Sequence, residues 1–144
     1  MALRNNLSLD ESGIHIGGEL PSMIYGPYEI LKSGKYTASY ELALNLDDYR
    51  ETDEDAIICR LRISYNYGEK VLVLRDVSLN DFDTSGKATV EVSFNLDANC
   101  EGVEYLVFAE EGKALSLQSL KVRHTPDYIT VSTYNCDRIV LLCL

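Results

Sequence analysis

Long apolar runs are missing from this chain of 144 residues, and no stretch approaches the ~18 apolar residues of a membrane-crossing helix. Helical spacing sustained over eleven residues or more is equally hard to find, so a helical bundle is not expected. Catalytic vocabulary is thin. His15 and His124 are the only imidazoles, and no nucleophile elbow, zinc-protease pair or phosphate-binding loop appears. Cys59, Cys100, Cys136 and Cys143 are scattered without a C-x-x-C pair, which speaks against zinc. Cys59 and Cys143 lie in apolar runs and read as small buried hydrophobes. The opening "MALRNNLSLDESG" carries an arginine without the apolar segment of a secretory leader, so the expected location is cytoplasmic. These gaps argue against an enzyme.

Negative charge is what the chain has in excess. Its 23 acidic and 13 basic residues leave a formal charge of -10. Such a surface repels phosphate backbones and anionic lipid, so neither nucleic acid nor membrane is an expected partner. Carboxylates can instead accept hydrogen bonds from sugar hydroxyls, or ligate a hard cation such as calcium. Apolar residues at 46% and charged residues at 25% fit one domain with a real core.

Alternation with a period of two dominates the chain. "KYTASYELALNL" places Tyr36, Ala38, Tyr40, Leu42, Leu44 and Leu46 on one parity, and "ATVEVSFNL" does so for Val90, Val92, Phe94 and Leu96. Strands with one face in a core and one in water give this pattern. Strands are expected at 13–17, 23–31, 35–46, 56–65, 70–79, 87–96, 102–110, 114–123, 128–134 and 138–143. Gly, Asp, Asn and Pro fill the connections, from "GGELPS" to "HTPD". The expected fold is all-β, an antiparallel β-sandwich. Gly34 would close a turn at positive φ, Tyr36 would cap the core end, and Pro27 would bend an edge strand. Folding therefore accounts for Tyr25, Tyr28 and Tyr36 before any ligand is invoked.

"YGPYEILKSGKYTASYELAL" resembles the early strand pair of galactose-binding-like jelly-roll domains of the carbohydrate-binding-module type. The match runs through Leu31, Gly34 and Tyr36, then Tyr40, Leu42 and Leu44. "VEYLVFAEEGKALSLQSLKV" resembles the closing hairpin of such domains, and the likeness spans about residues 13 to 124. It implies a non-catalytic, glycan-binding module associated with a sugar-processing enzyme. The domain would occupy 1–124, and 125–144 would be a C-terminal strand extension. The chain has no tryptophan, the residue most used as a sugar platform, so other aromatics would have to serve.

In an antiparallel sandwich successive connections alternate between two ends. Connections 18–22, 47–55, 80–86 and 111–113 then share one end, and 32–34, 66–69 and 97–101 share the other. The first end supplies Tyr49 and Phe82 as platforms for sugar C–H faces. Asp48, Arg50, Asn80 and Asp81 would be its polar clamps. At the opposite end "SYNYGE" offers Tyr65, Asn66 and Tyr67 as an alternative platform. A structural calcium would draw on "NDFD" and "DDYRETDED", although neither fits a D-x-D-x-D-G loop.

The tail "RIVLLCL" reads as a strand buried on both faces. It would complete this domain's sheet beside "ALRNNLSL" or join a homodimer. The alternative to glycan binding is thus a protein-interaction or oligomerisation sandwich with no small ligand.

Overall fold

Alternation builds the centre of the molecule. In a computed structural model that describes residues 8–10, 13–125 and 130–135, strand β8 (Lys87–Leu96) sends every second side chain inward. Ala88, Val90, Val92, Phe94 and Leu96 are buried, and the residues between them are exposed. Strand β5 (Gly34–Ala43) pairs with it along its whole length and contributes Tyr36, Ala38, Tyr40 and Leu42.

The other strands follow the chain as β1 (Ser8–Asp10), β2 (Gly13–Ile16), β3 (Ser22–Ile24), β4 (Pro27–Leu31), β6 (Ile57–Tyr65) and β7 (Lys70–Ser78). After β8 come β9 (Cys100–Ala109), β10 (Leu115–Thr125) and β11 (Thr130–Asn135). One sheet runs β1-β2-β10-β5-β8, with β11 also on β10; the other runs β3-β9-β6-β7, with β4 also on β9. All these pairs are antiparallel. Between the sheets lies a core that adds Ile14, Ile24, Leu61, Ile63, Val103, Tyr105, Leu117 and Leu120 to the side chains above. This is the expected all-β antiparallel sandwich.

Its irregularities are informative. The single strand expected at 23–31 is two strands laid end to end on β9, with β3 at Val107–Ala109 and β4 at Cys100–Glu104. The break falls at Gly26, whose φ of 122° few L side chains would adopt. Between Leu117 and Ser119 the register of β10 shifts, so the buried parity passes from Leu117 to Leu120. Of the tail, Thr130–Asn135 pairs with β10. The strand expected at 138–143 lies outside the described residues, as does its role in a homodimer, while Ser8 and Leu9 of "ALRNNLSL" pair with β2.

The connections do alternate between ends. At one end Asn80 N–H donates to the Glu54 carbonyl (2.9 Å), Leu44 N–H to that of Gly86 (2.8 Å), and the Tyr49 hydroxyl to that of Ala114 (2.7 Å). At the other, Asn66 N–H donates to the Glu101 carbonyl (2.9 Å) and Ser33 N–H to the Asn99 side chain (2.9 Å).

One core residue carries a testable defect. Tyr40 is 0% exposed, and its hydroxyl has no hydrogen-bond partner among the described residues. Burial accordingly pushes its phenol pKa up. A buried hydroxyl left unpaired costs about 1–3 kcal/mol. Tyr40→Phe keeps the ring and deletes the orphan, so the melting temperature should rise by roughly 3–9 °C. A melting temperature lowered by the substitution would contradict this account of the hydroxyl.

Candidate functional site

The loop end holds its expected residues in roles that serve folding. Tyr49 closes the 3₁₀ turn Leu46–Tyr49, and the turn carries its ring inward until the residue is 4% exposed. Its hydroxyl is spent on Ala114, so no face remains for stacking, and the platform expected at Tyr49 is instead a core residue. Arg50 is exposed and pairs with Asp47 at 2.8 Å. Asp81 accepts from the Ser78 N–H (2.9 Å) and from Arg75 (3.2 Å), closing a capping box. Phe82 is half-buried against the core, and Asn80 is exposed. Asp48 lies on the rim of a cavity of about 360 Å³ whose lining includes His15, Asn45 and Gln118. Asp83 accepts from Ser85 N–H (2.8 Å), Ser85 hydroxyl (2.6 Å) and Lys87 N–H (3.1 Å), which hold it below the usual carboxylate range. Among the described residues no three His, Cys, Asp or Glu side chains converge as metal ligands.

The opposite end is built differently. Three non-glycine residues among those described have positive φ: Tyr28 at 65°, Asn66 at 54° and Tyr67 at 55°. Asparagine tolerates this region, whereas a tyrosine there costs on the order of 1–2 kcal/mol. Tyr28 opens β4 and Tyr67 lies in the β6–β7 connection, yet their rings stack at 5.8 Å and 24°. Tyr25 meets Tyr28 edge-on at 6.2 Å and 78°. Tyr67 keeps 62% of its surface exposed. Beneath it lies Gly102, where a Cβ would stand 2.7 Å from the Tyr67 nitrogen and 2.8 Å from its ring, with φ at +63°. Only glycine lets that ring settle so close.

Below the tyrosines the outer face of the five-stranded sheet holds a buried carboxylate. Val103, Tyr105 and Val107 of β9 face the core, so Glu104 between them faces outward, as does Ser64 on β6. Both are nonetheless buried, Glu104 at 4% and Ser64 at 0% exposure. Tyr28 donates its hydroxyl to Glu104. Arg62 Nη2 reaches the same carboxylate at 3.0 Å, and the Ser64 hydroxyl lies at 3.4 Å. Desolvation is the main force raising the Tyr28 phenol, helped by the hydrogen bond to Glu104 and its charge and opposed by Arg62. Nearby, burial raises Glu29 even though Tyr105 donates to it at 2.6 Å. A rigid, hydrogen-bonded base therefore supports an aromatic corner with one ring open to solvent.

Tyr67 is the part of this corner that "SYNYGE" signals. Tyr28 reads from sequence as a turn residue, and no motif singles out Glu104 or Arg62. Their convergence depends on strand pairing between β6 and β9, 42 positions apart for the Arg62–Glu104 contact.

No family model matches the chain, and no curated protein resembles it. Two solved structures do. One is the C-terminal CBM6 of LamC, a marine laminarinase from Zobellia galactanivorans, at 18% identity and a TM-score of 0.50 over 82% of this chain and 88% of that one. The chain shares the jelly-roll sandwich fold of that module. The other is a carbohydrate-binding module of Cellvibrio mixtus lichenase 5A in complex with cellotriose, at 14% identity and a TM-score of 0.48, covering 85% of this chain and 87% of that one. The jelly roll is the fold that the "YGPYEILKSGKYTASYELAL" resemblance implied.

Proposed function

We propose that the chain is a non-catalytic glycan-binding module, associated with a sugar-processing enzyme, whose ligand stacks on the Tyr28–Tyr67 corner. The observation that carries this is the coincidence of backbone strain. Strained residues persist where surrounding structure holds them, and they gather at ligand clamps. Here two strained tyrosines from separate parts of the chain meet over one buried carboxylate. A pyranose ring would lay its C–H face on exposed Tyr67 and turn hydroxyls toward Arg62 and neighbouring carboxylates. The corner takes precedence over the loop end because Tyr49 keeps no open face there.

A non-catalytic role agrees with the placement of His124, whose ring stacks on Tyr36 at 4.6 Å and 15° as part of the packing. The formal charge of -10 favours neutral glycans over acidic ones. Affinity electrophoresis through gels containing neutral β-glucans, xylan or mannan should retard the protein in at least one case. A uronic-acid polymer should leave its mobility unchanged. Unretarded migration in every neutral gel would sink the proposal.

A further inference from the structure

We infer that Glu104 is the positioning residue of the tyrosine corner: its buried carboxylate fixes the Tyr28 ring, and Tyr28 in turn holds Tyr67 in the attitude that meets the ligand. The inference rests on the glycan-binding reading above and concerns what pre-orders that site. Glu104 does not itself reach a ligand. It is 4% exposed, and its carboxylate is surrounded by donors from two other strands, the Tyr28 hydroxyl from β4 and the Arg62 and Ser64 side chains from β6. Arg62 Nη2 at 3.0 Å and the Ser64 hydroxyl at 3.4 Å converge on one oxygen, Oε1. A carboxylate has room for about four donors. Glu104 therefore ties β4 to β6 across its own strand, with little capacity left for a sugar.

Tyr28 needs such a tie because the strand ladder does not supply one. Strand β4 meets β9 at Pro27, Glu29 and Leu31, and the register shifts between each of them, which leaves Tyr28 without a ladder partner among the described residues. Its φ of 65° lies in a region that a tyrosine adopts only under constraint. The bond from phenol to carboxylate is the directional constraint on this ring. Tyr67 depends on it at one remove. Its N–H donates to the Gly102 carbonyl at 3.2 Å, but its ring rests on Gly102 and on the Tyr28 face at 5.8 Å. An apolar pair at positions 62 and 104 would pack this face as well as a buried ion pair does, or better. It would offer the phenol no acceptor. What the ion pair contributes is the orientation of the rings.

A double-substitution cycle tests this, read by affinity electrophoresis in whichever neutral polysaccharide (β-glucan, xylan or mannan) retards the parent. Tyr28→Phe keeps the ring and removes only the tie, while Arg62 and Ser64 still satisfy Glu104, so the variant should fold. It should nevertheless bind about tenfold more weakly, the cost of ordering two rings anew on binding. Glu104→Gln sets an amide against the Arg62 guanidinium and should lose a similar factor. The double variant should lose no more than the weaker-binding single, because both substitutions break one link. Tyr28→Phe alone decides if Glu104→Gln does not fold. An alkaline ultraviolet titration reads the link without any glycan. Burial, the first cause of the raised Tyr28 phenol, persists in Glu104→Gln, but the carboxylate's charge is removed and its hydrogen bond weakened. One tyrosine should therefore ionise at lower pH than in the parent, and that step should vanish in the double variant. Parental binding by folded Tyr28→Phe, or losses that multiply in the double variant, would overturn the positioning role and leave the corner as the site. An unchanged titration in Glu104→Gln would overturn it as well. No retardation of the parent in any neutral gel would overturn the glycan reading itself, and this inference with it.

Discussion

Tyr67→Ala should abolish most glycan binding while leaving the melting temperature within about 2 °C of the parent. The ring is 62% exposed and rests on Gly102 and Tyr28 without entering the core. Its removal therefore takes away a contact surface and little packing. An aromatic anchor at the centre of a binding face is commonly worth about 2 kcal/mol or more, which corresponds to a loss of roughly 30-fold in affinity. Tyr67→Phe keeps the stacking face and should retain most of the binding. Affinity electrophoresis and a thermal melt on the same three proteins would read both quantities. Undiminished retention by Tyr67→Ala would move the ligand away from this corner.

Tyr49→Ala should behave in the opposite way. This side chain is 4% exposed, and its hydroxyl donates to Ala114 across the loop end. Truncating a buried aromatic leaves a cavity and costs about 3–5 kcal/mol. The unpaired Ala114 carbonyl adds to that penalty. The melting temperature should fall by about 10 °C or more. Protein that remains folded at low temperature should still bind glycan with parental affinity. A variant that melted normally but lost binding would restore Tyr49 as a sugar platform. Taken together, the two substitutions separate a residue that builds the fold from one that uses it.

The contrast between these tyrosines marks what could be read from the chain alone. Alternation in "ATVEVSFNL" and "KYTASYELAL" specified β8 and β5 and their inward faces, because a half-buried strand must repeat every two residues. Parity then placed the connections at their two ends, where backbone hydrogen bonds do join them. Direction of an individual loop side chain was not legible. In "DDYR" the sequence offers an aromatic among charges, which suits a binding loop, but a short 3₁₀ turn rotates the ring inward. Tyr28 shows the converse. Its neighbours Gly26 and Pro27 announce a turn, yet the ring's position depends on a carboxylate five strands later in the sequence and on Tyr67 across the sheet. Pair interactions between distant segments leave no periodic trace.

The order of strands has a practical corollary for tethering. Both β1 and β11, the first and last strands described, belong to the six-stranded layer, whereas Tyr67 and Leu74 decorate the outside of the opposite one. An affinity tag or a bead joined directly to β1 or β11 would thus sit on the layer opposite the tyrosine corner of the module. Its sugar-facing side would stay free to lie against a flat polysaccharide surface.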